Sequence, residues 1–199
     1  RPRNEAACLP LLNKYQLQYS GYSLFVGTIE PRKNLAALLD AYSRLPLSTR
    51  KLTPLILSGY QGWENDAIMV KIRQAEREGW VRYLGFLPAN ELPLLYSAAR
   101  LFCFPSLYEG FGLPVLEAMA SGVPVVCSNS SSLPEIIGDA GLTFPAEDIV
   151  TLTTLLQKAI EDHSWRAESI NMGLARSSLF SWQRCADQTI SVYQKVIAN

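Results

Sequence analysis

Histidine occurs once in the 199 residues, as His163 in the polar stretch Glu161-Asp162-His163-Ser164-Trp165. No catalytic triad built on histidine can be assembled from this chain, and the polar surroundings make His163 read as a loop residue. Cysteine is nearly as sparse. Cys8, Cys103, Cys127 and Cys185 lie far apart, with no Cys-x-x-Cys pair and no histidine beside them. Metal-ligand spacing is therefore missing and no metal is expected. Cys103 and Cys127 fall in apolar, strand-like runs and read as small buried hydrophobes. A reducing compartment, the cytoplasm, is the simple expectation. Net charge is also lacking, with 18 lysines and arginines against 18 aspartates and glutamates. That balance argues against nucleic acid as a partner held by a broad basic field, though it leaves room for a local basic patch. No apolar run is long enough to span a bilayer, and Arg1 to Pro10 lack the apolar core of a signal peptide. Internal repeats, low-complexity stretches and interior linkers are missing too.

What the chain does have is apolar residues, 48% of the total, enough for a full core without staples. They come in two alternating kinds of segment. Short runs of strand formers stand at 22–26, 55–57, 81–84, 101–104 and 123–127, with a sixth at 142–144. Between them are helical patterns. Leu35, Leu38, Leu39, Tyr42 and Leu45 share one face, Ala67, Val70 and Ile72 a second, and Leu92, Leu95, Tyr96 and Ala99 a third. Strands buried on both faces and separated by helices imply a parallel sheet with right-handed crossovers. The expected fold is α/β, a Rossmann-like doubly wound sheet of about six strands with helices on both faces. After Gly141 come three more helices. The first carries Ile149, Leu152, Leu155, Leu156 and Ile160, and the second runs from about 165 to 177. The third begins near Ser181, with Trp182, Cys185, Ala186, Thr189, Tyr193 and Val196 along one face. Residues 1–21 show no strand-helix unit and read as a lead-in from an upstream domain. Residues 22–199 read as one ligand-binding domain.

In such a sheet, ligands bind beyond the carboxyl ends of the strands, near the point where strand order reverses. The first loop of interest is Gly27-Thr-Ile-Glu-Pro-Arg-Lys-Asn34. A glycine at the strand end allows close approach of a ligand, the helix start offers free amides, and Arg32 and Lys33 add two cations. Those parts suit a diphosphate. The alternative for this loop by itself is a pair of solvated charges before a helix, since neither the dinucleotide nor the P-loop glycine pattern is present. The second loop is Pro105-Ser-Leu-Tyr-Glu-Gly-Phe-Gly-Leu-Pro-Val-Leu-Glu117. Pro114 suits a first helical turn, so the helix starts near Gly112 and its free amides, those of Phe111, Gly112 and Leu113, face the ligand edge. Glu117, one turn after Leu113, lies on the same face as that opening, with Glu109 in the loop before it. Carboxylates accept from hydroxyls while amides and cations hold phosphates. A hydroxyl-rich ligand with a diphosphate in its middle would use them all. Taken singly, Glu117 also reads as a first-turn acid favoured by the helix dipole and Glu109 as a turn residue. A third loop, Ser128-Asn-Ser-Ser-Ser-Leu-Pro-Glu135, reads equally as ligand lining or as an ordinary capped turn. Glycines at 59 and 85 stand at two further strand ends.

The stretch Glu109-Gly-Phe-Gly-Leu-Pro-Val-Leu-Glu117 resembles the E-x7-E motif of the GT-B-fold, family 4 (group 1) retaining glycosyltransferases. Val26-Gly-Thr-Ile-Glu-Pro-Arg-Lys-Asn34 looks like the first loop of their carboxyl domain, in the form common among mannosyltransferases of bacterial polysaccharide synthesis. Tyr83-Leu-Gly-Phe86, Ala118-Met-Ala-Ser-Gly-Val-Pro-Val126, Leu133-Pro-Glu135 and Phe180-Ser-Trp182 follow in the expected order.

The resemblance implies a nucleotide-sugar donor, a GDP-, UDP- or ADP-sugar with GDP-mannose favoured, and no cofactor. It implies that Lys33 and Arg32 bind the donor diphosphate and that Glu109 contacts hydroxyls of the transferred sugar. Glu117 would hold the ribose hydroxyls, and the Phe111, Gly112 and Leu113 amides would complete the sugar-phosphate site. The backbone at Gly27, Thr28 and Gly59 would line the donor, with the base near Leu84 to Phe86. Many members carry an arginine where this chain has Thr28, and Arg32 is the candidate replacement. The family reacts between two domains, of which this chain matches the second. An amino-terminal partner domain, a glycan or lipid-linked acceptor and peripheral membrane association of the full-length enzyme are implied with it. No carboxylate nucleophile is assigned; catalysis would come from stabilising the leaving diphosphate by Arg32, Lys33 and the amides. Two rival readings are a phosphorylase or epimerase of similar fold, and a non-catalytic module that binds nucleotide-sugars or a partner.

Overall fold

In a computed structural model, which describes residues 1–197, six parallel strands make one sheet: β1 (Ser23–Val26), β2 (Leu55–Ser58), β3 (Val81–Tyr83), β4 (Leu101–Phe104), β5 (Val125–Ser128) and β6 (Leu142–Phe144). Their order across the sheet is β3-β2-β1-β4-β5-β6. β1, β2, β4 and β5 consist almost wholly of buried residues, because helices cover both faces. That is why the sequence shows apolar runs rather than alternation. The chain reverses its direction of travel across the sheet between β1 and β4. Their ends therefore flank the crevice.

The helices are α1 (Glu5–Tyr15), α2 (Leu35–Ser43), α3 (Leu47–Leu52), α4 (Asp66–Arg77), α5 (Leu92–Ser97), α6 (Leu113–Ala120), α7 (Leu133–Ile137), α8 (Ile149–Glu161), α9 (His163–Ser177) and α10 (Trp182–Ile197). Packing sorts most of them into two groups. α2 meets α4 and α8; α5 meets α1 and α6, which also meets α7 and α9. Right-handed crossovers on either side of the reversal place these groups on opposite faces.

Two sequence expectations are corrected, for α4 and His163, and two are extended, for residues 1–21 and α10. Residues 1–21 contain a helix: α1 buries Cys8, Leu11 and Leu12 against α5 although Pro10 lies inside it. Asn4 caps it by accepting from the Ala7 amide at 3.0 Å. The buried face of α4 is Met69, Ile72 and Ala75, while Val70 is exposed; the expected face was rotated, since so few apolar residues fix the phase poorly. His163 opens α9 instead of lying in a loop, with its Nδ1 2.7 Å from Arg166. Finally, α10 forms as expected but buries none of its residues, so the stripe from Trp182 to Val196 faces outward.

Candidate functional site

The reversal point brings the first two loops together. After β1, the chain makes a single 3-10 turn over Pro31–Lys33 and enters α2 through Asn34, whose backbone is left-handed at φ 52°. After β4, it runs through Glu109 to α6, with Gly112 at φ 106° as the residue preceding the helix. Leu107 donates its amide to the Arg32 carbonyl at 2.9 Å, and the Asn34 amide group donates to the carbonyls of Pro105 and Ala146 at 3.2 and 2.8 Å.

Three of the expected site residues meet here. Lys33 Nζ lies 2.6 Å from Glu109 Oε1, both side chains being nearly buried. Arg32 Nη1 lies 3.2 Å from Glu109 Oε2 and donates to the Tyr108 carbonyl at 2.7 Å. Its Nη2 lies 2.6 Å from Glu30. Desolvation works against the charge of Arg32, but the Glu109 and Glu30 carboxylates outweigh it and raise its pKa. Lys33 also sits 4.9 Å over the Phe104 ring, a cation–π contact that holds the ammonium at the strand end. The two cations are thus not the solvated pair of the plain reading. They converge on one carboxylate.

The Glu109 loop is held from behind by the third loop. Ser131, itself at φ 49°, accepts the Glu109 amide at 2.8 Å. The Ser132 hydroxyl donates toward the carbonyls of Glu109 and Phe111, at 3.0 and 2.8 Å. Ser128 donates to the carbonyl of Ser106, whose own buried hydroxyl has no partner among the described residues. These serines are scaffold, a role that short polar loops do not announce in sequence. With the carbonyls of the loop tied up, the amides of Phe111, Gly112 and Leu113 have no protein acceptor among the described residues. A cluster of free amides at a helix start beside two cations is suited to an anion.

Glu117 is solvent-exposed on α6, on the side facing α5, where its Oε2 accepts from the buried Tyr96 hydroxyl at 3.1 Å. Desolvation of the carboxyl by the protein beneath it raises the pKa of Glu117; the Tyr96 hydrogen bond opposes this without cancelling it. No hydrogen bond or ion pair joins Glu117 to Lys33, Arg32 or Glu109 among the described residues. Gly59 has a structural explanation of its own: at φ 148°, a side chain there would strike the Gly27 carbonyl at 2.0 Å. Close packing of β1 and β2 beyond their ends requires glycine there, whether or not a ligand does. Gly27 and Thr28 lie at that same strand end, and Leu84 and Phe86 flank Gly85, whose φ is 70°.

The profile described as "Glycosyl transferases group 1" matches residues 17–174. The chain belongs to that family. It is 53% identical over 193 residues to the O-antigen chain mannosyltransferase B of Escherichia coli, covering 97% of this chain and 51% of that protein. With the MMP alpha-(1->4)-mannosyltransferase of Mycolicibacterium hassiacum it shares 43% identity over 173 residues, 84% of this chain and 41% of the other. Sucrose-phosphate synthase from Thermosynechococcus elongatus superposes with a TM-score of 0.83 at 28% identity, over 99% of this chain and 49% of that one. The chain therefore spans about half the length of these relatives or less. The sheet order and the two-sided helix cover agree with the fold class expected from sequence, the carboxyl half of a GT-B fold.

Proposed function

We propose that this chain is the donor-binding domain of a retaining glycosyltransferase. It would move mannose or a related hexose from a nucleotide-sugar, GDP-mannose first among them, to a glycan or lipid-linked acceptor. The observation that carries the reading is the convergence of Lys33 and Arg32 on Glu109 beside the free amides at the start of α6. Cations and amides are the groups that hold a diphosphate, and a carboxylate next to them accepts from sugar hydroxyls. Relatives named as mannosyltransferases support the choice of sugar. Arg32 supplies the charge that Thr28 does not, and Glu117 on α6, which accepts from Tyr96, takes the ribose. Together Lys33, Arg32 and the amides stabilise charge on the departing diphosphate, which is the catalytic contribution assigned to this half.

The acceptor and the opposite wall of the cleft belong to an amino-terminal domain of the full-length enzyme. No helix among the described residues is long and apolar enough to cross a membrane, and a cytoplasmic enzyme associating peripherally with the membrane fits the proposed lipid-linked acceptor. Calorimetric titration with GDP-mannose, UDP-glucose and ADP-glucose, alongside the matching diphosphates, tests the reading. GDP-mannose binding that depends on both Lys33 and Glu109 is expected. Binding of none of these ligands would remove it. Binding without transfer by the full-length protein would favour the non-catalytic module instead.

A further inference from the structure

An exposed glutamate on a helix has several side-chain torsions to settle before it can hold a ligand, and ordering them on binding costs affinity. Glu117 is exposed on α6, yet it is not free. Its Oε2 accepts from the hydroxyl of Tyr96 on α5 at 3.1 Å, and Tyr96 itself is only 2% exposed. Among the described residues, Oε1 has no hydrogen-bond partner. A buried tyrosine hydroxyl needs some acceptor, and a main-chain carbonyl serves elsewhere in this core. Tyr22, equally buried, donates to the Leu95 carbonyl at 2.6 Å, and Tyr42 to the Thr53 carbonyl. Of these three tyrosines, Tyr96 is the one whose hydroxyl goes to an exposed carboxylate.

The tyrosine is a firm anchor. Its ring lies 5.3 Å from the ring of Phe102 on β4, tilted by 57°, and Phe102 stacks on Phe104 at 5.7 Å. Phe104 is the ring beneath the Lys33 ammonium. One column of β4 aromatics therefore underlies both Lys33 and the tyrosine that bonds Glu117. Burial, and after it the Glu117 charge, push the Tyr96 pKa well above the ordinary phenol value. The hydroxyl thus keeps its proton across the neutral range and remains a donor.

We propose that Tyr96 is a positioning residue of the donor site: by holding Glu117 Oε2 it presents Oε1 to the ribose hydroxyls and makes the site select ribose over its deoxygenated forms. The inference rests on the reading above that gives the ribose to Glu117, and adds the residue that makes an exposed carboxylate selective. A carboxylate fixed through one oxygen accepts along a set direction with the other. Two adjacent ribose hydroxyls then meet an acceptor that is already ordered, and less affinity is lost in ordering it.

The test is titration of the protein and its Tyr96→Phe, Glu117→Ala and doubly substituted forms with GDP, inorganic pyrophosphate and dideoxy-GDP, which lacks both ribose hydroxyls. Phenylalanine keeps the ring against Phe102 and removes one oxygen, whose place at an exposed carboxylate water can take. The variant should therefore fold, which thermal unfolding checks. The unaltered protein should bind GDP about tenfold or more tightly than dideoxy-GDP. Tyr96→Phe should lose about fivefold in GDP affinity while dideoxy-GDP and pyrophosphate bind as before. That loss should vanish where Glu117 is already alanine. GDP affinity unaltered by Tyr96→Phe would overturn the proposal. So would equal losses for GDP and dideoxy-GDP, or a loss that persists beside Glu117→Ala, since either makes Tyr96 part of the scaffold alone. Equal binding of the two nucleotides by the unaltered protein would take the ribose from Glu117, and this inference with it, while leaving the diphosphate site standing. If the unaltered protein bound neither GDP nor pyrophosphate, the donor-site reading itself would fall.

Discussion

Replacing Glu109 with glutamine should separate the two halves of the donor. In the ligand-free protein this carboxylate lies 2.6 Å from Lys33 Nζ and 3.2 Å from Arg32 Nη1, so the cations that would hold a diphosphate are already partly neutralised. A phosphate bound on the far side of Lys33 would lie roughly 6 Å from the carboxylate. At an effective dielectric of about 20, two unit charges at that distance repel by ~3 kcal/mol. Arg32 is 39% exposed in its side chain, and solvent screening reduces the figure to ~1–2 kcal/mol. Glu109→Gln should therefore tighten pyrophosphate and nucleoside diphosphate binding by about tenfold. The transferred sugar, in contrast, loses a charged acceptor, a cost of ~1.5–3 kcal/mol, so the intact donor should bind no better and transfer should drop. Stability moves as well. Lys33 is 7% exposed, and a buried cation deprived of its partner costs ~3–5 kcal/mol; the glutamine oxygen should recover part of that. Thermal unfolding should thus show a lower Tm that pyrophosphate restores more in the variant than in the parent. Calorimetry with the diphosphate and the nucleotide-sugar decides the matter. Equal weakening of both ligands in Glu109→Gln would refute the reasoning.

Lys33→Ala should cut affinity for nucleoside diphosphates by about tenfold or more while leaving the bare nucleoside unaffected, as read by titration; an equal loss for the nucleoside would make Lys33 structural. Ser132→Ala removes the hydroxyl that holds the Glu109 and Phe111 carbonyls and should lower stability by ~1 kcal/mol, with a larger relative loss in donor binding than in global unfolding free energy. Glu117 has its pKa raised by desolvation and accepts from hydroxyls best when ionised, so nucleoside diphosphate affinity should fall as pH drops through a window above the ordinary carboxylate range, and Glu117→Gln should flatten that profile. The stability contribution of Glu117 has the opposite sign, since a raised carboxyl pKa favours the folded state at low pH and that gain is lost as pH rises through the same window. A thiol reagent should label Cys185 alone in the native protein: Cys185 is exposed, whereas Cys8, Cys103 and Cys127 are buried, and burial pushes the Cys127 thiol up to about 12.

The strands were legible because they are buried on both faces, which writes them as apolar runs. The alternation of strands and helices implied a parallel, doubly wound sheet; the order of the strands came only with the structure. α1 was not legible: its core contribution is three residues, Cys8, Leu11 and Leu12, and Pro10 sits among them. The Asn4 cap is a local signal for that helix, but much of its support is docking against α5, and tertiary packing of this kind leaves little local trace. α4 shows a milder failure, with its existence evident and its phase wrong by the placement of Val70. In the site, the carboxylates and cations stood out because Glu109, Arg32 and Lys33 are charged residues in the loops after β4 and β1, and Glu117 lies one turn into the helix that follows. Asn34, Ser131 and Ser132 did not, because what they do depends on partners in other loops; Glu30 pairs with Arg32 inside its own loop and reads in sequence as a plain loop acid. Ser131 and Ser132 act on residues more than twenty positions upstream, and Asn34 reaches Ala146. A polar residue that caps a turn and one that braces a neighbouring loop look alike until the sheet is assembled.

The Lys33–Glu109 contact joins residues 76 positions apart, and its existence is a consequence of topology. β1 and β4 are adjacent only because the chain, after laying down β2 and β3 on one side, returns to start the other half of the sheet. Had the strands followed in simple sequence order, the loop after β1 would face the loops after its immediate neighbours, and its cations would have no carboxylate. The same return leaves a gap between the two helix layers above β1 and β4, since crossovers on either side diverge there. Charge pairing and a crevice are therefore produced by one feature of the fold. The local sequence adds glycines where loops approach closely, serines that brace the Glu109 turn, and a helix start at Gly112 whose amides remain free.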